Sequence, residues 1–157
     1  MEQQQNEQPV FKIEKLYVKD LSLEVPNAPA IFLDQTDPTI NVELSTQAAI
    51  VGDGFFEVAL KATVTSKGAE DKTIFLVEAT QAGIFQIRNI PETEIEPVLM
   101  IGCANILFPY ARETISDAVT RAGFQPVLLA PVNFEGMFQA RQEELAAQQP
   151  KIEVPLQ

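Results

Sequence analysis

The spacing of apolar side chains changes period once along this chain, near Pro91, and that single change restricts the folds open to it. Before Pro91 the period is two, the spacing of an extended strand with one face buried. Phe11, Ile13, Tyr17, Leu21, Leu23 and Val25 fall on one side of such a strand, and Lys12, Glu14, Asp20, Ser22 and Glu24 on the other. The segment Pro26-Asn27-Ala28-Pro29 ends it, and the stretch through Ile31, Phe32 and Leu33 to Pro38 holds apolar residues without a period, as a crossover loop would. Ile40, Val42 and Leu44 begin a second strand, and Gly52-Asp53-Gly54 marks a turn before a third. The third strand, over 55–66, turns Phe56, Val58, Leu60, Ala62 and Val64 inward. After a turn over 67–71, a fourth strand, 72–87, sets Phe75, Val77 and Ala79 against Ile74, Leu76, Glu78 and Thr80. Turns this short join antiparallel neighbours, because parallel strands need long crossovers.

Beyond Pro91 the spacing becomes helical. It predicts a short helix over 92–101 and a longer one over 109–122, where Phe108, Ala111, Ile115, Ala118, Val119 and Ala122 recur every three or four residues. Pro109 suits a first turn and Gly123 a C-terminal cap. Pro126 and Pro131 keep 124–132 extended, and Asn133 caps a last helix bearing Phe134, Met137, Phe138 and Leu145 on one side. Strands followed by helices describe an α+β domain, a four-stranded antiparallel sheet with helices on one face. The domain is expected over 10–146, between a disordered N-terminus, 1–9, and a flexible tail, 147–157.

The residue inventory is poor in chemistry. The chain has no histidine, which removes Ser-His and Cys-His pairs, imidazole bases and the commonest zinc ligand. Cys103 is its single cysteine, so neither an intrachain disulfide nor a cysteine-built zinc site can form. None of the seven glycines begins a phosphate-binding loop. A carboxylate pair is the one catalytic device left, and among 22 acidic residues some pairs fall close by chance. No catalytic residue, metal or cofactor is therefore expected. A net charge of -11 repels nucleic acid and anionic lipid and attracts basic protein segments. The Gln-rich, acidic start has neither the basic end nor the apolar run of a secretory signal, no run is long enough to cross a bilayer, and a cytoplasmic location is expected.

Three segments carry a resemblance. Tyr17-Val18-Lys19-Asp20-Leu21-Ser22-Leu23-Glu24-Val25-Pro26-Asn27-Ala28-Pro29, Asn105-Ile106-Leu107-Phe108-Pro109-Tyr110-Ala111-Arg112-Glu113 and Ala130-Pro131-Val132-Asn133-Phe134 resemble the SecB family of protein-export chaperones. The likeness runs from about Phe11 to Phe138. Two positions depart from it: Cys103-Ala104-Asn105 stands where the family usually has Cys-Pro-Asn, and Gln125-Pro126 reverses the common order. The resemblance implies a homotetramer, a dimer of dimers, that holds unfolded preproteins without ATP and passes them to the SecA motor. Its SecA contacts would fall on Asp20, Glu24, Leu76 and Glu78. The alternation itself puts Asp20 with Glu24, and Leu76 with Glu78, on shared strand faces, where a merely solvated surface is the other reading. A holding chaperone also needs apolar surface that stays open. Phe32, Phe134, Met137 and Phe138 are the client-binding candidates, with burial in the core as the alternative for each. A chaperone of the same fold serving a toxin-antitoxin pair is the alternative function.

Overall fold

In the computed structural model, which describes residues 7–148, the alternating segments pair as one antiparallel sheet. Its strands are β1 (Val10–Glu24), β2 (Thr39–Gly52), β3 (Phe55–Lys67) and β4 (Thr73–Arg88), in the spatial order β1-β4-β3-β2. The last three form a meander, and the crossover loop between β1 and β2 carries β2 to the far edge. Two central strands and one covered face give the inner row Val58, Leu60, Ala62, Val64, Val77, Ala79 and Phe85, all sealed from solvent. Leu99, Cys103, Leu107, Ala111, Ile115 and Val119 of the helical layer close over them. Gly83 is required in this layer, since a Cβ there would stand 2.9 Å from both Leu16 Cδ2 and the Phe85 ring.

Strand β1 departs from simple alternation, and the sheet register shows why. Its partners on β4 skip one residue after Ile13 and another after Val18, so Glu14 and Lys19 are bulged. Each bulge resets the side-chain parity. Phe11 and Ile13, then Leu16 and Val18, then Leu21 and Leu23 consequently all face inward, whereas Tyr17 lies opposite Ala82 on the outer face. The expectation that Tyr17 shares a face with Ile13 and Leu21 is corrected by these two insertions. The helical layer lies over β3 and β4, and it leaves Phe11, Ile13, Val18, Leu21 and Leu23 about half exposed.

The helices also join differently from their sequence spacing. Helix α1 (Glu92–Pro97) runs through a π-turn, Val98–Cys103, directly into α2 (Ala104–Arg121). Pro109 therefore sits inside α2 and not at its first turn. Lacking an N–H, it leaves the Asn105 carbonyl without its usual helical donor, a defect tolerated here by tertiary packing of Leu107, Phe108 and Ala111. The far end follows expectation: Gly123 adopts φ +96° and Phe124 N–H reaches back to Val119 O at 3.2 Å, closing a Schellman cap. Asn133 Oδ1 accepts from Gly136 N–H at 3.0 Å and starts α3 (Phe134–Ala147). The N-terminal residues 1–6 and the tail beyond 148, where disorder was expected, lie outside the described residues.

Candidate functional site

The face of the sheet without helices gathers the four acidic-face candidates. In the β1/β4 ladder Glu24 lies opposite Leu76, Ser22 opposite Glu78 and Asp20 opposite Thr80, so all four candidates share that outer face. Their electrostatic settings differ. Glu78 is held by Lys61 Nζ at 2.9 Å and accepts from Thr63 Oγ1 at 3.2 Å, and the Lys61 hydrogen bond keeps its carboxyl below the usual carboxylate range. Asp20 and Glu24 are exposed and have no ion-pair partner among the described residues. Farther along the same face Glu57 bonds Lys19 Nζ at 2.7 Å and accepts from the Tyr17 hydroxyl. Lys19 chiefly, then Tyr17, lowers the Glu57 pKa, while burial and then the Glu57 carboxylate push the Tyr17 phenol up to about 12. The exposed carboxylates of this face without an ion-pair partner among the described residues thus include Asp20 and Glu24 on β1 and, across Thr63, Glu43 on β2.

Two concavities of the inner side lie beside the client-binding candidates. One, of about 440 Å³, lies between α3 and β2 and is lined by Leu44, Met100, Phe134, Met137, Phe138 and Arg141 among others. The three candidates on α3 differ in exposure. Phe134 is only 3% exposed, packed edge-to-face on Phe108 with ring centres 5.8 Å apart, so it anchors α3 as the floor of the groove. Met137, 42% exposed, and the half-buried Phe138 form the open part of the stripe. The packing differs because Phe134 occupies the first turn of α3, where the helix meets α2, and the later turns diverge toward solvent.

The second concavity, of about 460 Å³, lies under the crossover loop. Ile31, Ile40, Ile74, Phe75 and Phe124 provide its apolar lining, with the exposed Asp34 and Asp37 among its polar residues. The loop is fixed by Asn27, whose amide donates to Thr73 O at 2.8 Å and whose carbonyl accepts from Ile31 N–H at 2.9 Å. Phe32, 49% exposed, stacks on Phe124 with centres 5.1 Å apart, and Phe124 leans on Phe75 at 5.2 Å. A file of three rings thereby links loop, helix cap and sheet. Alternation placed Phe75 on one side of its strand with Val77 and Ala79 and gave Phe124 no role. The signal that pointed to Phe124 was its place directly after the Gly123 cap, where an apolar side chain packs back on the fold.

Cys103 takes no part in either concavity, and burial pushes its thiol up to about 12, far from a reactive thiolate. Among the described residues no group of three or more potential ligands could hold a metal ion, and no helix is long and apolar enough to cross a membrane.

An α+β sheet with apolar grooves on its helical side and an unobstructed acidic face behind has the design of a chaperone-class binding protein. Known proteins give that class a family. The family described as preprotein translocase subunit SecB matches residues 4–145, and the chain belongs to it. It is 70% identical over 141 residues to the protein-export protein SecB of Aromatoleum aromaticum, covering 90% of this chain and 89% of that one. It is 60% identical over 154 residues to that of Dechloromonas aromatica, covering 98% and 99%. Among solved structures, the SecB-like chaperone of Mycobacterium tuberculosis, in complex with a ChAD peptide from the HigA1 antitoxin, superposes with a TM-score of 0.66 at 17% identity. That match covers 78% of this chain and 91% of the other. SecB is a chaperone family, and the close relatives place this chain among the export chaperones.

Proposed function

We propose that the protein holds newly made secretory preproteins in an unfolded state and delivers them to the SecA motor, acting in the cytoplasm as a dimer of dimers. The observation that carries this reading is the division of labour across one sheet. Apolar concavities open on the helical side, and Asp20, Glu24, Leu76 and Glu78 share the other. Cargo and motor can then be engaged together. Phe32, Met137 and Phe138 offer an unfolded chain rigid aromatics and an adaptable thioether, which suits contact with many sequences. The exposed carboxylates of Asp20 and Glu24 suit a basic docking segment, and their free charge speeds encounter. With no phosphate-binding loop in the sequence, cargo release falls to the partner, and no catalytic step is involved. Relatives with 56–70% identity bear the export name, whereas the antitoxin connection belongs to a chain 17% identical, so service to a toxin-antitoxin pair receives less support.

The test uses purified full-length protein and a reduced, unfolded precursor. Suppression of aggregation at near-stoichiometric ratios is expected, and its absence at every ratio rules out holding. Charge reversal at Glu24 and Glu78 is expected to weaken SecA binding while cargo binding persists.

A further inference from the structure

The inner row of β3 reads Phe56, Val58, Leu60, Ala62, Val64 and then Ser66. Ser66 is the one polar member, and it stands where that row reaches the cleft under the crossover loop. It pairs with Ile40 on β2 and Phe75 on β4, so apolar cleft residues flank it on both sides. Its side chain is 1% exposed, and its Oγ has no hydrogen-bond partner among the described residues. A buried hydroxyl without a partner is costly, and the rest of the row shows that an apolar residue serves at this level of the sheet.

We propose that the crossover cleft selects tyrosine over phenylalanine in its cargo, with Ser66 Oγ as the hydrogen-bond partner of the phenol. The inference rests on the holding function stated above and names a side chain that one of its two concavities prefers. Tyrosine matches the cleft in both parts: an apolar ring for Phe75, Phe124 and Ile74, and a polar tip for the Ser66 hydroxyl. The phenol can donate to Oγ or accept from it, so the fit does not depend on one hydroxyl orientation. A phenylalanine in the same seat leaves Ser66 unpaired, and sites with a buried polar group discriminate most strongly against the ligand that lacks its counterpart.

The experiment compares two extended peptides that differ only by Tyr or Phe at their single aromatic position, titrated against the full-length protein. About five- to tenfold tighter binding of the Tyr peptide is expected, the effect of one neutral hydrogen bond in a closed site. Ser66→Ala should bring the Tyr peptide down to the affinity of the Phe peptide and leave the Phe peptide unchanged. Equal affinity of the two peptides for the wild-type protein overturns the proposal, as it would if a resident water already satisfied Ser66. A Tyr preference that survives Ser66→Ala overturns it as well. In both cases the holding function stands, since the peptides bind. Binding of neither peptide overturns this proposal and counts against holding too. The wild-type comparison needs no variant, so the proposal remains falsifiable whatever the stability of Ser66→Ala.

Discussion

Phe75 and Leu76 are neighbours on β4 and point to opposite sides of the sheet, Phe75 into the crossover cleft and Leu76 onto the helix-free face opposite Glu24. One residue of strand therefore separates the surface proposed for cargo from the surface proposed for the motor. Substitutions at the two positions should dissociate the functions. Leu76→Ala is expected to weaken SecA binding about tenfold while aggregation suppression and thermal stability stay near wild type. Phe75→Ala empties a core position and should lower stability by about 3–5 kcal/mol, with loss of cargo affinity. Binding titrations with each partner, beside urea unfolding of both variants, check this. Equal effects of Leu76→Ala on cargo and motor would refute the separation.

The Tyr17–Glu57–Lys19 knot makes a pH signature. The fold raises the Tyr17 pKa from 10.0 to about 12, so its contribution is complete below pH 10 and is lost as pH climbs through 10 toward 12. Glu57 is shifted the other way, below 4.5, so its contribution is complete above about pH 4.5 and disappears as pH falls through the folded-state value. Tyr17→Phe is expected to flatten the alkaline limb of the stability profile, and Glu57→Gln to flatten the acid limb and soften the alkaline one. Urea midpoints measured from pH 3 to pH 12 report this directly. An unchanged alkaline limb in Tyr17→Phe would show that the phenol contributes nothing there.

The turn between β3 and β4 is built against its own chemistry. Glu70 and Asp71 hold φ of 57° and 61°, and Lys72 N–H returns to Ala69 O at 3.2 Å, the geometry of a type I′ turn. That turn favours Asn-Gly, and side chains other than Asn, Asp and Gly pay in strain for the left-handed region. Replacing Glu70-Asp71 by Asn-Gly should stabilise the protein by about 1 kcal/mol without touching either concavity. Thermal unfolding checks this, and a lower melting temperature would mean that the acidic pair has compensating contacts.

Much of this architecture is written locally and some of it is not. The inward rows of β3 and β4 were legible because both strands are central and a single burial rule governs each residue. β1 was legible as a strand but not in its facing, since a bulge inserts a residue without changing the local composition, and the period-two rule fails silently at Glu14 and Lys19. Pro109 misled because tertiary packing outweighs the usual cost of a proline inside a helix. Alternation paired Asp20 with Glu24 and Leu76 with Glu78, the resemblance singled the four out, and only the β1/β4 register joins the two pairs on one face. The crossover cleft was not legible, because Ile31, Ser66, Phe75 and Phe124 meet only after the sheet, the loop and the helix cap have assembled. None of these four stands out in its own segment.

The bulges of β1 also bear on assembly. By resetting parity twice they keep Phe11, Ile13, Val18, Leu21 and Leu23 in one row along an edge strand, about half exposed and not covered by α2. A row of that length left to water invites aggregation, and a second copy of the chain covers it without exposing anything new. The proposed dimer of dimers supplies such a copy. Burying a leucine contributes about 1.5–3 kcal/mol, so Leu21→Lys with Leu23→Lys removes two such contributions and adds charge to the interface. The double variant should therefore dissociate more than about 100-fold more readily than wild type. Native mass spectrometry against the 17.3 kDa chain reads this as a fall from tetramer to smaller species. A wild-type monomer, or a double variant that remains fully tetrameric, would mean that the row is covered by something other than a second copy.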